Sequence, residues 1–254
     1  EDLPGYSLPL ADGVYLVYVD VWERHVTYIE DPDIREVALG GPDTTTRTRT
    51  LCQIKLEPLE AEGPLNGIEC QPYAALASTG RLAAQAPEDD EPETPCVVPA
   101  GGGYRGLENR LYRVEIHDDG RDENGNQVRT PTFKWSRDNG LVLLPVAEDG
   151  IDGDDVTLKR FGPDDVLTVK VGDWVEVLGD ETELYGGHGT LGQIEPNGID
   201  RADREITLSE DVSAHSGESH LKVRRWNHRA TEDVALQDGA LPIQGDWFEL
   251  EDGV

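Results

Sequence analysis

The run Asp118-Asp-Gly-Arg-Asp-Glu-Asn-Gly-Asn126 contains Asp122-x-Asn124-x-Asn126, the spacing with which an EF-hand loop opens. Oxygen ligands two residues apart can converge on calcium. The sixth position is Gln127 instead of glycine, and no glutamate stands where the bidentate ligand belongs, so an EF-hand is excluded. What the residues allow is a weak calcium site on Asp118, Asp122, Asn124 and Asn126, weighed against a solvated hairpin tip. No other cofactor is expected. The histidines, His25, His117, His188, His215, His220 and His228, form no His-x-His or His-Glu-x-x-His unit that would set two zinc ligands on one face. No Gly-x-Ser-x-Gly elbow occurs, and Gly101-Gly-Gly-Tyr-Arg-Gly106 lacks the Lys-Ser/Thr of a phosphate loop. With 52 acids, any pair of carboxylates can be imagined as acid and base, so pairing alone says nothing. No catalytic motif emerges.

Arginine is the informative cation. The 22 basic residues comprise only five lysines, at 55, 134, 159, 170 and 222, so seventeen are arginines facing 52 acids. Arg47, Arg49, Arg105, Arg110, Arg113 and Arg137 fall in or beside strand-like runs. There they are expected to meet carboxylates in bidentate pairs that fix register or subunit contacts. The net charge of −30 repels phosphate backbones and anionic lipid, which argues against nucleic acid and membrane surfaces as partners. Molar salt shortens the Debye length to about 3 Å. The surface therefore reads as salt-adapted and halophilic. Three cysteines, Cys52, Cys70 and Cys96, exclude a disulfide framework. No apolar run approaches the length of a membrane span. The chain starts at Glu1 and has no methionine, which suggests a processed chain or a fragment.

The elements that must position these residues read as all-β. Val14–Trp22 is dense in β-branched and aromatic residues, the composition of a strand buried on both faces or nearly so. Glu23-Arg-His25 ends it, and a second extended run follows at His25–Ile29. Thr44–Leu56 is a further strand. Seven prolines and the acidic block Glu88–Glu93 mark residues 57–100 as a connector, with one short helix over Tyr73–Gln85. Leu111–His117 and Pro131–Arg137 form a hairpin around the decorated loop. Asp138-Asn-Gly140 predicts a tight hairpin turn into Leu141–Val146. Short strands are expected at 156–158, 166–171, 174–178, 193–195, 205–208, 220–226 and 245–253. The predicted fold is an antiparallel β-sandwich with a small inserted β-barrel. Residues 1–56 form an N-terminal β segment, 101–150 with 220–254 the main sandwich, and 151–213 the barrel. The tryptophans, 22, 135, 174, 226 and 247, are read as core anchors, with sugar stacking as the alternative.

Several stretches also carry a resemblance: Val21-Trp-Glu-Arg-His25 with Glu30–Thr50, Gly101–His117, Thr132–Gly140, Val223–Trp226 and Gly245-Asp-Trp247. Together they resemble a poorly characterised domain family of bacterial and archaeal proteins associated with phage tails and phage-tail-like contractile injection systems. The resemblance implies context and not chemistry. It points to a structural or adaptor module of a virion tail, contractile particle or other surface assembly. Such a module would be extracellular or particle-associated, and its partners would be further copies or neighbouring particle components. The alternatives are a carbohydrate-binding or adhesin module with a surface glycan as partner, and a polysaccharide-degrading enzyme.

Overall fold

A computed structural model describes residues 3, 6–7, 12–39, 47–58, 81–85, 110–122, 124–231, 233–245 and 247–251. Among them run eleven strands: β1 (Tyr15–Val26), β2 (Arg47–Pro58), β3 (Tyr112–Asp118), β4 (Thr132–Arg137), β5 (Leu143–Asp152), β6 (Asp155–Leu158), β7 (Trp174–Leu178), β8 (Thr190–Asp200), β9 (Glu205–Leu208), β10 (Lys222–Trp226) and β11 (Leu241–Pro242). One α-helix, α1 (Asp180–Leu184), is found among the described residues, and no helix there is long and apolar enough to cross a membrane. The fold is all-β.

Period-two alternation builds the centre. Along β7, Val175 and Val177 enter an apolar interior while Glu176 faces the other way. Leu144 and Val146, Val156 and Leu158, Ile194, Ile206, Leu208 and Val223 supply the same interior from the neighbouring strands. Six strands close around it in the order β10-β5-β6-β9-β8-β7, every neighbour antiparallel, so no sheet edge is left open. The barrel is therefore larger than the predicted insert, since it takes in β5 and β10, which the sequence reading gave to a sandwich.

Two smaller sheets flank the barrel. β11, β4 and β3 form a three-stranded sheet, and β1 with β2 forms a two-stranded ribbon. Phe133 and Trp135 of β4 pack with Leu241, Val234, Leu236, Phe248 and Leu250 on one side of their sheet. The alternate residues Lys134 and Ser136, also buried, occupy the other side, towards the barrel.

Several expectations are corrected. β1 is one strand through Val26, because its ladder with β2 continues without a break from Tyr15↔Pro58 to Val26↔Arg47. It is not buried on both faces, since Val17, Val19 and Val21 are exposed. Asp138, Asn139 and Gly140 all have positive φ, as an Asn-Gly turn requires, yet the turn closes no hairpin. β4 pairs with β3 and β11 while β5 pairs with β6 and β10, so the turn hands the chain from sheet to barrel. Residues 166–171 are not a strand. Asp164 Oδ1 accepts from the amides of Val166 and Leu167, and Arg225 donates to the carbonyls of Val166 and Thr168, which removes those groups from any ladder. Residues 247–251 have no strand pairing. Arg81–Gln85 are exposed and not helical; the rest of the predicted helix, Cys70, Cys96 and Arg105 lie outside the described residues.

Leu208 is fully buried in the barrel interior. Leu208→Ala is expected to lower the unfolding free energy by about 2 to 5 kcal/mol, measured by urea denaturation at constant salt.

Candidate functional site

The face of β4 that carries Lys134 meets the outside of the barrel, and this seam is ionic. β10 and β7 lie side by side with Arg224 opposite Glu176 and Trp226 opposite Trp174. Because Val223, Val175 and Val177 point inward, their neighbours Lys222, Arg224, Trp226 and Glu176 point into the seam, and all four are fully buried. The Glu176 carboxylate accepts from Lys134 Nζ, from Trp226 Nε1 at 2.9 Å and from the amide of Gly189 at 2.8 Å. The Lys134 ammonium also lies 4.8 Å from the centroid of the Trp226 ring.

Two glycines make this approach feasible. A Cβ at Gly189 would stand 2.2 Å from the carbonyl oxygen of Val177 and 2.8 Å from Glu176 Cγ, so only glycine lets that amide reach the carboxylate. Gly140, at φ +68°, sits where a Cβ would press on the Cδ atoms of Arg113 and Arg224, at 3.3 and 3.4 Å.

Beside the Lys134–Glu176 pair lies a cavity of about 350 Å³. Its walls carry Arg113, Lys134 and Arg224 against Glu115, Glu176 and Glu183, with His117 and His188 in tilted ring contact at 4.2 Å and Gly186 and Gly187 also in the lining. Burial alone would push the Glu176 carboxyl up. The charges of Lys134 and Arg224, with the hydrogen bonds from Lys134 and Gly189, outweigh it and hold the group at about 2. Glu183 also stands at about 2, burial raising it while Lys222, Arg224 and Arg24 prevail. Burial, then Lys134 and His188, depress His117 to about 3. Burial, then Arg113 and Arg224, depress His25 to about 4.

The ion network continues from the seam to the ribbon. Lys222 Nζ donates to Glu183 at 2.7 Å and to Glu30, Arg24 pairs with Asp180, and His220 Nδ1 lies 2.7 Å from the other oxygen of Asp180. Glu30, Asp180 and Glu183 are the one set of three acids among the described residues whose ligand atoms come close enough to hold a metal. Arg24 and Lys222 already pair with these acids. A separate knot, His215 Nδ1 at 2.7 Å from Glu218 and Nε2 at 3.0 Å from Thr190 Oγ1, pins residues 213–218 to β8 and α1.

The residues singled out by sequence fall elsewhere. Asp122 Oδ1 accepts from the amides of Asn124 and Asn126, both at 2.9 Å, and the Asn126 side chain donates to the same carboxylate. Asp118 accepts from the Gly120 amide at 2.6 Å and from Arg129 at 2.8 Å. These four residues thus hold the loop's own backbone. Arg113 pairs with Glu115, whereas Arg110 and Arg137 both reach Glu251, which fastens residues 247–251 to β3 and β4. Arg47 and Arg49 lie on the exposed start of β2. The strand-borne arginines of the three-stranded sheet therefore meet carboxylates of their own chain. Trp135 and Trp226 are core residues, while Trp247 is 56 % exposed. Sequence reasoning missed Lys134, Glu176, Lys222 and Arg224. A signal existed, since a lysine is rare in this chain and Phe133-Lys-Trp and Lys222-Val-Arg alternate charge with apolar residues inside strand patterns.

A family profile matches residues 6–68 and 70–254, nearly the whole chain. The chain belongs to a family of unknown function, DUF6519. No curated protein and no solved structure matches it. For this DUF6519 chain, function must therefore be argued from its own residues.

Two outcomes follow from the seam. Glu176→Gln leaves the buried Lys134 ammonium with only Glu115, at 3.7 Å, as counter-charge and should cost about 3 kcal/mol. Adding Lys134→Met to that variant should restore part of the loss, measured by urea unfolding in a double-mutant cycle. The proton balance gives the second. Unfolded histidines bind protons below about 6.5, whereas native His25 and His117 wait until about 4 and about 3. Unfolded glutamates protonate near 4.5, native Glu176 and Glu183 only near 2. The unfolded chain holds more protons throughout that window, so stability falls as pH falls. Thermal melts at constant molar salt should show a Tm that decreases from pH 7 towards pH 4.

Proposed function

We propose that this chain is a structural assembly module that docks through the outer face of its β1–β2 ribbon. The observation that carries the reading is an inverted alternation. The ribbon face that turns towards the rest of the chain bears Asp20, Trp22, Arg24, Lys55, Gln53 and Leu51, with Lys55 paired to Asp20 at 2.7 Å and Leu51 and Gln53 buried. The opposite face sets Val19 against Ile54, Val21 against Cys52 and Val17 against Leu56. Val17, Val19, Val21 and Ile54 are 63, 58, 59 and 55 % exposed. From Val17 to Val21 this face is apolar and uncharged, with the exposed Glu23 following it along the strand, and an exposed apolar patch of this kind marks an interaction site. On a molecule of net charge −30 it is also a place where two copies can touch without juxtaposing carboxylates.

Among the described residues the ribbon has no third strand. Its base is anchored by Arg24 to Asp180, Glu30 to Lys222 and Tyr28 Oη to the Leu143 carbonyl at 3.0 Å. A docked ribbon would thus be held to the barrel rather than swing from it. The resemblance of the Val21–His25 and Thr132–Gly140 motifs to tail-associated proteins supports the same reading. It favours a virion tail, contractile particle or comparable surface assembly as the setting, with further copies or neighbouring particle subunits as partners.

Sedimentation in molar KCl should show concentration-dependent oligomers of the full chain. The pair Val19→Glu and Ile54→Glu should shift them to monomer without changing the far-ultraviolet circular dichroism. In a Cys70→Ser and Cys96→Ser background, oxidation should join copies through Cys52. A monomer at all concentrations, with Cys52 unreactive between copies, would remove the proposal.

A further inference from the structure

The seam cavity holds hydrogen-bonding capacity that the ion pairs around it leave over. Its three carboxylates are already engaged: Glu176 accepts from Lys134, Trp226 and Gly189, Glu183 faces Lys222, Arg224 and Arg24, and Glu115 pairs with Arg113. The donors are not all engaged. Arg224 is 2 % exposed and lines the cavity; one terminal N–H reaches Glu183 at 3.3 Å, while its Nε has no partner. His117, also buried and on the wall, has no partner at Nδ1. His25, close enough to Arg113 and Arg224 to feel both guanidiniums, has none at either ring nitrogen. The formal charges on the wall cancel, yet Arg224 Nε, which can only donate, is left without an acceptor, and a buried donor in that state is rare enough in folded proteins to ask for a reason.

We propose that this cavity binds a small oxyanion, the carboxylate or phosphate group of a small molecule, through the guanidinium of Arg224 with Arg113 and His117 completing its shell. A carboxylate or phosphate oxygen supplies the acceptor that Arg224 Nε lacks, in the planar geometry guanidinium favours. A neutral imidazole at His117 adds a donor without a further buried charge. Burial first, and then Arg113 and Arg224 at His25 and Lys134 at His117, keep both imidazoles neutral, so neither adds a buried charge to the site. A volume of about 350 Å³ suits a small organic acid or phosphate monoester and not a polymer. This site is separate from the outer face of the ribbon, so the two proposals stand or fall apart.

The test uses the full chain in Bis-Tris buffer, which brings no oxyanion of its own, at pH 6.5. Sodium phosphate is titrated in one arm and sodium succinate in the other, read by calorimetry and by proton–nitrogen spectra of the imidazoles. Saturable one-to-one binding in either arm, with the His117 and His25 imidazoles shifting, is the expected result, and the arm that binds more tightly identifies the source of the oxyanion. Arg224→Lys keeps the charge and loses the fork, and should weaken binding about tenfold or more. Arg129→Lys, at an exposed pair with Asp118, should leave affinity unchanged. Heats that rise without saturation to tens of millimolar in both arms, or saturable binding that moves neither imidazole, would overturn the site. If Arg224→Lys does not fold, the imidazole shifts of the unmodified chain decide alone.

Discussion

The buried contact between Lys134 and Glu176 determines how the two larger parts of this protein meet. A three-stranded sheet and a closed barrel would ordinarily join through apolar faces, yet here the apolar side of β4 is turned away and covered by Val234, Leu236, Phe248 and Leu250. The seam is instead built on charged groups, with the Lys134 ammonium and the Glu176 carboxylate, both removed from water, at its contact. Such a pair is tolerable only when every lone pair and proton is matched, which is why Trp226 Nε1, the Gly189 amide and the Trp226 ring gather around it. The requirement spreads outward. Gly189 must be glycine, the Gly186–Gly189 loop must bend over the pair, and Arg224 must sit opposite Glu176 across the β10–β7 ladder. Specific position, more than stability, is what a matched charge pair contributes to such an interface.

The ribbon inverts the arrangement usual for a half-buried strand pair. Asp20, Arg24 and Lys55 face inward, where Lys55 meets Asp20 and Arg24 meets Asp180, while Val17, Val19 and Val21 face out. An acid-rich surface makes this inversion understandable. Contact between like-charged molecules is easiest where charge is absent, and burial of aliphatic groups strengthens in the same concentrated salt that screens the remaining repulsion.

The barrel interior was legible because Val156-Thr-Leu158, Trp174–Leu178 and Glu205–Leu208 are short apolar alternations bounded by glycine and aspartate, a local signal. Strand partnership was not legible. Leu141–Val146 follows an Asn-Gly turn and so reads as the return arm of a hairpin, but β5 finds its partners in β6 and in β10, nearly eighty residues on. Residues 166–171 have strand composition, and only the distant Arg225 shows why their carbonyls are withheld. The seam was missed for a related reason. Charge on an acid-rich chain reads as solvated, and nothing local marks Lys134 and Lys222 as buried apart from the scarcity of lysine. The arginine pairs were foreseen as chemistry but not in their partners, because Glu251 lies more than a hundred residues from Arg137.

The ribbon's connectivity has a mechanical side. Tyr15 and Pro58 sit opposite each other at one end, and Val26 and Arg47 at the other, beside the barrel. Tension applied through the chain before Tyr15 and beyond Pro58 would peel the two strands apart rung by rung, like a zipper, rather than slide one along the other. The load would fall on a single pair of residues at a time. Opening would run inward from Tyr15 and Pro58, and the last rungs to part would be those beside Arg24 and Val26, where the ribbon is fastened to the barrel.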